Sequence, residues 1–241
     1  MGQYRNSGAR RLLPAAVVLG AVCVGCNTAG HAKEADAPSA TATAMETASV
    51  ENMRGFLSEG GGMSLKETLL KRRSIRSFKP RTLSEREVAD LCFAAQGVTS
   101  PQGYRTAPSA GATYPLVLHI VARNGVFGYD PATHRLSKLS EENRTRALSE
   151  AALGQRSVAE AGANFVFGAM VERTASRYGE KARRFVDIEA GCAAENLMLM
   201  ATALGLGSVM IGAQDEARVK TIATLPAESE AVLMVSVGMP K

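Results

Sequence analysis

The segment of residues 183–204 is the feature that most restricts how this chain can fold. Apolar residues recur through it at the spacing of an α-helix, which is predicted to begin near Thr174 or Arg183 and to end at Gly205. The apolar positions are Ile188, Cys192, Leu197, Leu199, Met200 and Leu204, with alanines between them. Because they cover more than one face, the helix must be buried on several sides, by a sheet or by a second subunit.

Capping residues and short apolar runs predict the other elements. Ser64 with Glu67, and Ser84 with Glu87, form capping boxes that open two helices, and Asp215 is the expected N-cap of a third. Strands are predicted at residues 115–123, 126–129, 135–139, 163–172, 208–212 and 231–237. Strands that alternate with helices predict an α+β fold, an α/β sandwich with a mixed central sheet flanked by helices.

Residues 1–26 have the pattern of a secretion signal. Three arginines precede an apolar run at residues 12–22, which is about half the length that a bilayer span needs, so cleavage is expected. Gly25-Cys26 resembles a bacterial lipoprotein box, in which Cys26 becomes the lipidated first residue; an uncleaved anchor is the alternative. We expect an exported protein held to the membrane of the cell envelope by lipid. Arg10-Arg11-Leu12-Leu13 resembles a twin-arginine export signal only loosely, and the sequence leaves Sec and Tat export as alternatives.

The rest of the chain divides into a tether and one domain. Residues 27–49 are rich in small and polar residues without an apolar period, and Gly60-Gly61-Gly62 marks a last flexible point. A flexible tether is therefore predicted at residues 27–62, with the folded domain at residues 63–241. Of the 28 basic residues, three lie in the leader, which leaves 25 against 23 acidic residues. So balanced a charge argues against a nucleic-acid partner. Cys92 and Cys192 are expected to be reduced core residues, with a disulfide as the alternative in an exported protein.

Three arginines surround one serine directly after the first predicted helix. Arg72, Arg73 and Arg76 supply planar, permanently charged groups around Ser74, and such groups suit a phosphate. Cations that close a helix also complement its dipole, so a structural role is the alternative.

Two further segments combine with the arginines. These are residues 108–115 (PSAGATYP) and 205–212 (GLGSVMIG). On their own, the first predicts a tight turn before a buried strand, and the second predicts a helix stop followed by a strand. Three other fragments occur in a specific order and spacing: residues 94–99 (AAQGVT), 105–116 (RTAPSAGATYPL) and 152–155 (ALGQ).

Together these segments resemble the nitroreductase superfamily and, within it, the SagB/ThcOx-type branch of FMN-dependent dehydrogenases and oxidases. The resemblance covers residues 63–239 and implies a nitroreductase-like fold, FMN as cofactor, and a homodimer with two flavin sites at the subunit interface. It assigns the FMN phosphate and ribityl chain to Arg72, Arg73, Ser74 and Arg76. The loop against the flavin ring, often supplied by the neighbouring subunit, is assigned to Ser109, Ala110, Gly111 and Thr113. Backbone contacts to flavin N5 and O4 are assigned to Met210, Ile211 and Gly212.

The resemblance also implies ping-pong hydride transfer from NADH or NADPH, through flavin N5, to a small nitroaromatic, quinone or enone. Oxidation of azoline rings in peptides is the alternative within the branch. That chemistry is associated with a Lys-Tyr pair, whereas the local match here is Arg177-Tyr178. Since arginine keeps its proton, Tyr178 alone remains a catalytic candidate, as a proton donor or relay.

Other catalytic schemes find no support in the sequence. His119 and His134 are isolated, and no metal-ligand or nucleophile-elbow pattern is present, so no metal is expected. The rival class is a non-catalytic lipoprotein that uses this fold to bind flavin or a partner.

Overall fold

A six-stranded sheet forms the centre of the computed structural model, which describes residues 62–241. The strands are β1 (Leu116–Ala122), β2 (Gly125–Asp130), β3 (Arg135–Ser140), β4 (Ala163–Ala169), β5 (Gly207–Ile211) and β6 (Glu230–Gly238). Their spatial order is β3-β2-β1-β4-β6-β5, and each neighbouring pair is antiparallel. The α+β prediction is confirmed. The parallel part of the expected mixed sheet is limited to one isolated bridge between Ser74 and Ser208.

Seven α-helices accompany the sheet within residues 62–241. They are α1 (Leu65–Lys71), α2 (Glu85–Gln96), α3 (Thr145–Ala151), α4 (Arg156–Glu160), α5 (Val171–Tyr178), α6 (Ala182–Ala203) and α7 (Glu216–Ile222). Both predicted capping boxes are formed, at Ser64 and at Ser84, and the Asp215 side chain accepts from the backbone N–H of Arg218. These local signals succeed because the capping side chain satisfies donors that the first helical turn leaves free.

The long helix is α6, and it starts later than the earlier of the two predicted positions. Gly179, at φ 54°, separates it from α5, and a 3₁₀ turn at Gly179–Lys181 leads into it. It ends at Ala203, two residues before Gly205, which has φ 73°. Glycine takes this left-handed conformation without the steric cost of a Cβ, so both breaks lie where the backbone can turn.

Apolar side chains pack on both faces of the sheet. On one face, α2 and α6 cover inward-pointing residues such as Phe165 and Phe167 of β4. On the other face, Val166 packs with Val219 of α7 and Leu148 of α3. All seven residues of β4 are buried, because a central strand covered on both sides has no solvent face.

Cys92 and Cys192 are free thiols, so no disulfide joins them. Burial raises the pKa of the Cys92 thiol well above its usual value. No helix between residues 62 and 241 combines the length and the apolar character that a membrane crossing requires. The predicted leader and Cys26, and all of the predicted tether except Gly62, lie outside the described residues.

Candidate flavin site

The arginine segment runs beside strand β5. The backbone N–H of Ile75 donates to the carbonyl oxygen of Ser208 at 2.9 Å, and Ser74 forms the parallel bridge to the same residue. A Cβ placed on Gly207 would lie 2.9 Å from the Cβ of Ile75, so only glycine allows this approach. Two segments that are 130 residues apart in sequence, one with the arginines and one with Met210, therefore lie side by side.

The three arginines differ in what their guanidinium groups contact. Arg72 closes α1, as the structural alternative predicted, and its Nε lies 3.0 Å from Oε1 of Glu195 on α6. Arg73 is exposed and, among the described residues, donates only to the neighbouring carbonyl oxygen of Arg72, at 2.6 Å. Arg76 is exposed and makes no hydrogen bond or ion pair within residues 62–241. Two cations beside β5 are thus available to an anionic ligand.

Unsatisfied polar atoms lie on the same strand and just after its end. The Oγ of Ser208 is buried without a hydrogen-bond partner in the described part of the chain, as are both amide atoms of Gln214. Met210 and Gly212 are exposed, while Ile211 is buried in the core. Buried polar atoms without partners are uncommon in folded proteins and indicate a place where a ligand or water completes the bonding. This combination of free cations and unsatisfied polar atoms fits a phosphorylated polar cofactor.

A second cluster forms around the turn at Ala110–Ala112. Gly111 has φ 61°, and the non-glycine residues Ala112 and Tyr114 have φ 54° and 45°, which is an unusual concentration of left-handed backbone. The turn is held by the Ser109 Oγ, which accepts from the Tyr114 N–H at 2.9 Å. Such backbone strain persists only where the surroundings impose it, and it often marks a functional loop.

Tyr178 lies against this turn. A Cβ on Gly111 would be 2.8 Å from the Tyr178 hydroxyl and 2.9 Å from Arg177 Cδ. The Nη1 of Arg177 also donates to the Gly111 carbonyl oxygen at 3.2 Å. The structure thus brings Tyr178 to the turn containing Ser109, Gly111 and Thr113, which are 65 or more residues away in sequence.

Two cavities lie near the clusters, and neither unites them. One, of about 390 Å³, lies between α1 and α6, and the other, of about 260 Å³, lies behind the turn. Neither is lined by the predicted FMN residues. Among the described residues, the cluster at β5 and the cluster at the turn are therefore separate groups.

Behind the turn lies a polar network that the motif analysis did not assign. Arg105 Nη1 donates to Gln96 Oε1 at 2.6 Å, and the Arg105 guanidinium lies 4.7 Å from the centre of the Tyr114 ring. Glu189 of α6 is only 3% exposed. The burial of Glu189 could have been predicted from the sequence, because it shares a helix face with Val186, Ala190 and Ala193.

Glu189 has a strongly perturbed carboxyl group. Burial raises the pKa of Glu189 to about 7, against the opposing effects of the Ser109 hydroxyl and the Arg105 charge. Its Oε1 has no hydrogen-bond partner among the described residues. Burial thus favours the protonated form of this carboxyl group, next to the turn that Ser109 begins.

Replacing Glu189 with glutamine is expected to flatten the pH dependence of stability. Between the usual pKa of 4.5 and about 7, the unfolded state ionises Glu189 while the folded state keeps the proton, so rising pH lowers the free energy of unfolding. Urea denaturation should show that Glu189→Gln gains about 2 kcal/mol relative to wild type between pH 5 and pH 8. Glu180→Gln, at an exposed carboxylate, is the control, and parallel curves for wild type and Glu189→Gln would contradict the assignment.

Comparison with known proteins supports the fold. A model described as the nitroreductase family matches residues 69–239. A protein of Methanocaldococcus jannaschii, provisionally named a nitroreductase, is 38% identical over 182 residues, which are 73% of this chain and 91% of that protein. Among solved structures, a provisionally named nitroreductase from Ralstonia eutropha has a TM-score of 0.68 and 26% identity, covering 76% of this chain and 86% of that one. The NADPH:FMN oxidoreductase from Vibrio harveyi, solved with NAD⁺, has a TM-score of 0.55 and 21% identity, covering 73% and 69%, and shows likeness of fold alone.

Proposed function

Because this chain belongs to the nitroreductase family, we propose that it is an FMN-dependent oxidoreductase. It transfers a hydride between NADH or NADPH and a small organic acceptor such as a nitroaromatic, a quinone or an enone. The observation that carries this proposal is the pairing of Ile75 with Ser208, at 2.9 Å, which sets the exposed Arg73 and Arg76 beside β5. A related fold binds NAD⁺ in the Vibrio harveyi NADPH:FMN oxidoreductase, which agrees with a nicotinamide donor.

The residues present fit FMN. Arg73, Ser74 and Arg76 would hold the phosphate, and the backbone from Met210 to Gly212 would meet the ring. When bound, FMN supplies the group that accepts a hydride and passes two electrons to an acceptor. The guanidinium groups bind the anionic end, and a fixed cation near the ring stabilises the negative charge of the reduced state.

We propose a homodimer formed through α1 and α6. Leu65, Leu69 and Leu70 are 66%, 56% and 66% exposed, which is unusual for three leucines on one short helix. Beside them is the open cavity of about 390 Å³, lined by Met63, Leu199 and Met200 among others. A second copy seated there would cover the apolar surface and would bring its own Ser109–Thr113 turn toward the cations of the first.

Tyr178 is proposed to donate or relay a proton to the acceptor. Its hydroxyl lies beside Gly111, in the turn assigned to the flavin ring. We assign the protein to the SagB/ThcOx-type branch on the motifs at residues 94–99 and 105–116. Azoline oxidation is not favoured, because Arg177 replaces the lysine of the Lys-Tyr pair and does not give up its proton.

The cellular location is proposed from residues 1–26 alone. Their basic start, short apolar run and Gly25-Cys26 support an exported lipoprotein of the cell envelope, anchored through lipid on Cys26. Mass spectrometry of Cys26→Ala should then show loss of the lipid.

An anaerobic absorbance titration tests the enzyme against the non-catalytic rival. Full-length protein loaded with FMN should lose its yellow colour on addition of NADH or NADPH and regain it with a quinone. Dithionite serves as the control that the bound flavin is reducible. Protein that takes up no FMN, or that dithionite bleaches while neither nicotinamide does, would overturn the proposal.

A further inference from the structure

The cavity of about 260 Å³ lies between the end of α2, the start of β1, the end of β2 and the beginning of α5. It is slightly smaller than the range of about 300–1,000 Å³ that is common for drug-sized ligands, so it suits a small molecule and not a dinucleotide. None of its lining residues belongs to the segments assigned to FMN. It is therefore a separate candidate site.

One wall of the cavity carries hydrogen-bond donors without acceptors. Gln96 is 1% exposed, and its Nε2 has no partner within residues 62–241. The Nε of Arg105 is also buried without a partner, although Arg105 Nη1 donates to Gln96 Oε1. A buried donor that lacks an acceptor costs about 1–3 kcal/mol, and a bound acceptor would remove that cost.

The same wall carries uncompensated positive charge. Arg105 and Arg173 both line the cavity, and neither has a carboxylate at ion-pair distance in the described part of the chain. Burial lowers the pKa of Arg105, and the nearby charge of Arg173 lowers it further. The nearby Glu189 acts in the opposite direction and raises the pKa of Arg105, but Glu189 does not line the cavity.

One acidic residue, Asp130, also lines the cavity, but its carboxylate is engaged elsewhere. Its Oδ1 accepts from the Ala132 N–H at 2.9 Å, and its Oδ2 accepts from the Thr133 hydroxyl at 2.7 Å. The guanidinium groups of Arg105 and Arg173 thus share the cavity with one carboxylate, whose oxygens already accept hydrogen bonds. A bound anion would balance the positive charge of the two arginines.

The remaining wall is apolar. Leu116, Leu118 and Pro131 contribute to it, and both leucines are nearly fully buried. We propose that this cavity binds a short-chain monocarboxylate, whose carboxylate accepts from Arg105, Gln96 and Arg173 and whose hydrocarbon end packs on the leucines. A carboxylate matches the planar fork of a guanidinium, and the apolar wall distinguishes a fatty carboxylate from an inorganic anion.

The ligand contacts the groups that hold the predicted flavin turn. Arg105 lies 4.7 Å from the centre of the Tyr114 ring, and Arg173 Nη1 donates to the Tyr114 carbonyl oxygen at 3.2 Å. Tyr114 has φ 45° and directly follows the turn. Carboxylate binding is thus linked to the position of Tyr114 through two shared guanidinium groups.

A ligand-observed NMR titration of the full-length protein tests the site with butyrate and its neutral isostere butyramide. Butyrate should bind at least about tenfold more tightly than butyramide, since a charge-assisted contact contributes about 1.5–3 kcal/mol. Arg173→Gln should weaken butyrate binding about tenfold. Arg146→Gln, at a side chain that is 92% exposed on α3, should leave it unchanged.

Arg173→Gln carries the test because Arg173 is exposed and its loss should not unfold the protein. Arg105→Gln is measured beside it, with circular dichroism as the check on folding. The titration is run with and without FMN, and butyrate should bind in both, so a failed flavin proposal would leave this result standing. Equal affinity for the two ligands, no binding of butyrate, or binding that is indifferent to Arg173→Gln would overturn the proposal.

Discussion

Replacing both Arg73 and Arg76 with alanine is expected to raise the dissociation constant for FMN at least about 100-fold, because two charge-assisted contacts to the phosphate are lost. The apo protein should keep its thermal stability. Arg76 has no partner within residues 62–241, and Arg73 donates only to the adjacent carbonyl oxygen of Arg72. Quenching of flavin fluorescence gives the affinity, and circular dichroism of the FMN-free protein gives the melting temperature.

Lys138→Ala with Arg146→Ala is the matched control, since it removes the same charge from exposed positions outside β5. Arg72→Ala should weaken FMN binding less than the double variant, because Glu195 already occupies part of its guanidinium. An equal loss of FMN affinity in the control would mean that overall charge, and not the position beside β5, attracts the cofactor. A parallel fall in apo stability for the Arg73 and Arg76 variant would make these residues structural.

Replacing Leu69 and Leu70 with glutamate is expected to dissociate the proposed homodimer. Burial of each leucine contributes about 1.5–3 kcal/mol, and the symmetric interface contains two from each protomer, so the dimer dissociation constant should rise more than about 1,000-fold. Both side chains are largely exposed in the protomer, so its fold should survive. Analytical ultracentrifugation measures the mass, and flavin fluorescence measures the accompanying loss of FMN affinity.

Leu139→Glu with Leu153→Glu supplies the same change at two other exposed leucines, of 41% and 71% exposure. This control should remain dimeric and retain FMN. A Leu69 and Leu70 variant that stays dimeric would remove α1 from the interface. A monomer that binds FMN as tightly as wild type would instead show that one protomer contains the whole site.

Local chemistry made part of this protein predictable. The capping boxes at Ser64 and Ser84 and the cap at Asp215 involve contacts within one helical turn, so their outcome does not depend on the rest of the fold. The apolar period of α6 predicted the helix, which packs against α2 and the sheet, but it misplaced the buried face. Ile188 is 53% exposed, whereas the buried positions include Val186, Ala190 and Ala193. The three FMN segments were assigned by resemblance to a family. Their motifs do not show which groups the side chains contact.

Tertiary structure alone decided the arrangement around the site. Strand order and antiparallel pairing depend on hydrogen bonds between segments far apart in sequence, and no local pattern records them. The same is true of the approach of Ile75 to Ser208, the pairing of Arg72 with Glu195, and the unpaired donors of Gln96 and Arg105. A residue's type and spacing determine which face of an element it occupies, whereas its charge state and its partners depend on what the folded chain packs against that face.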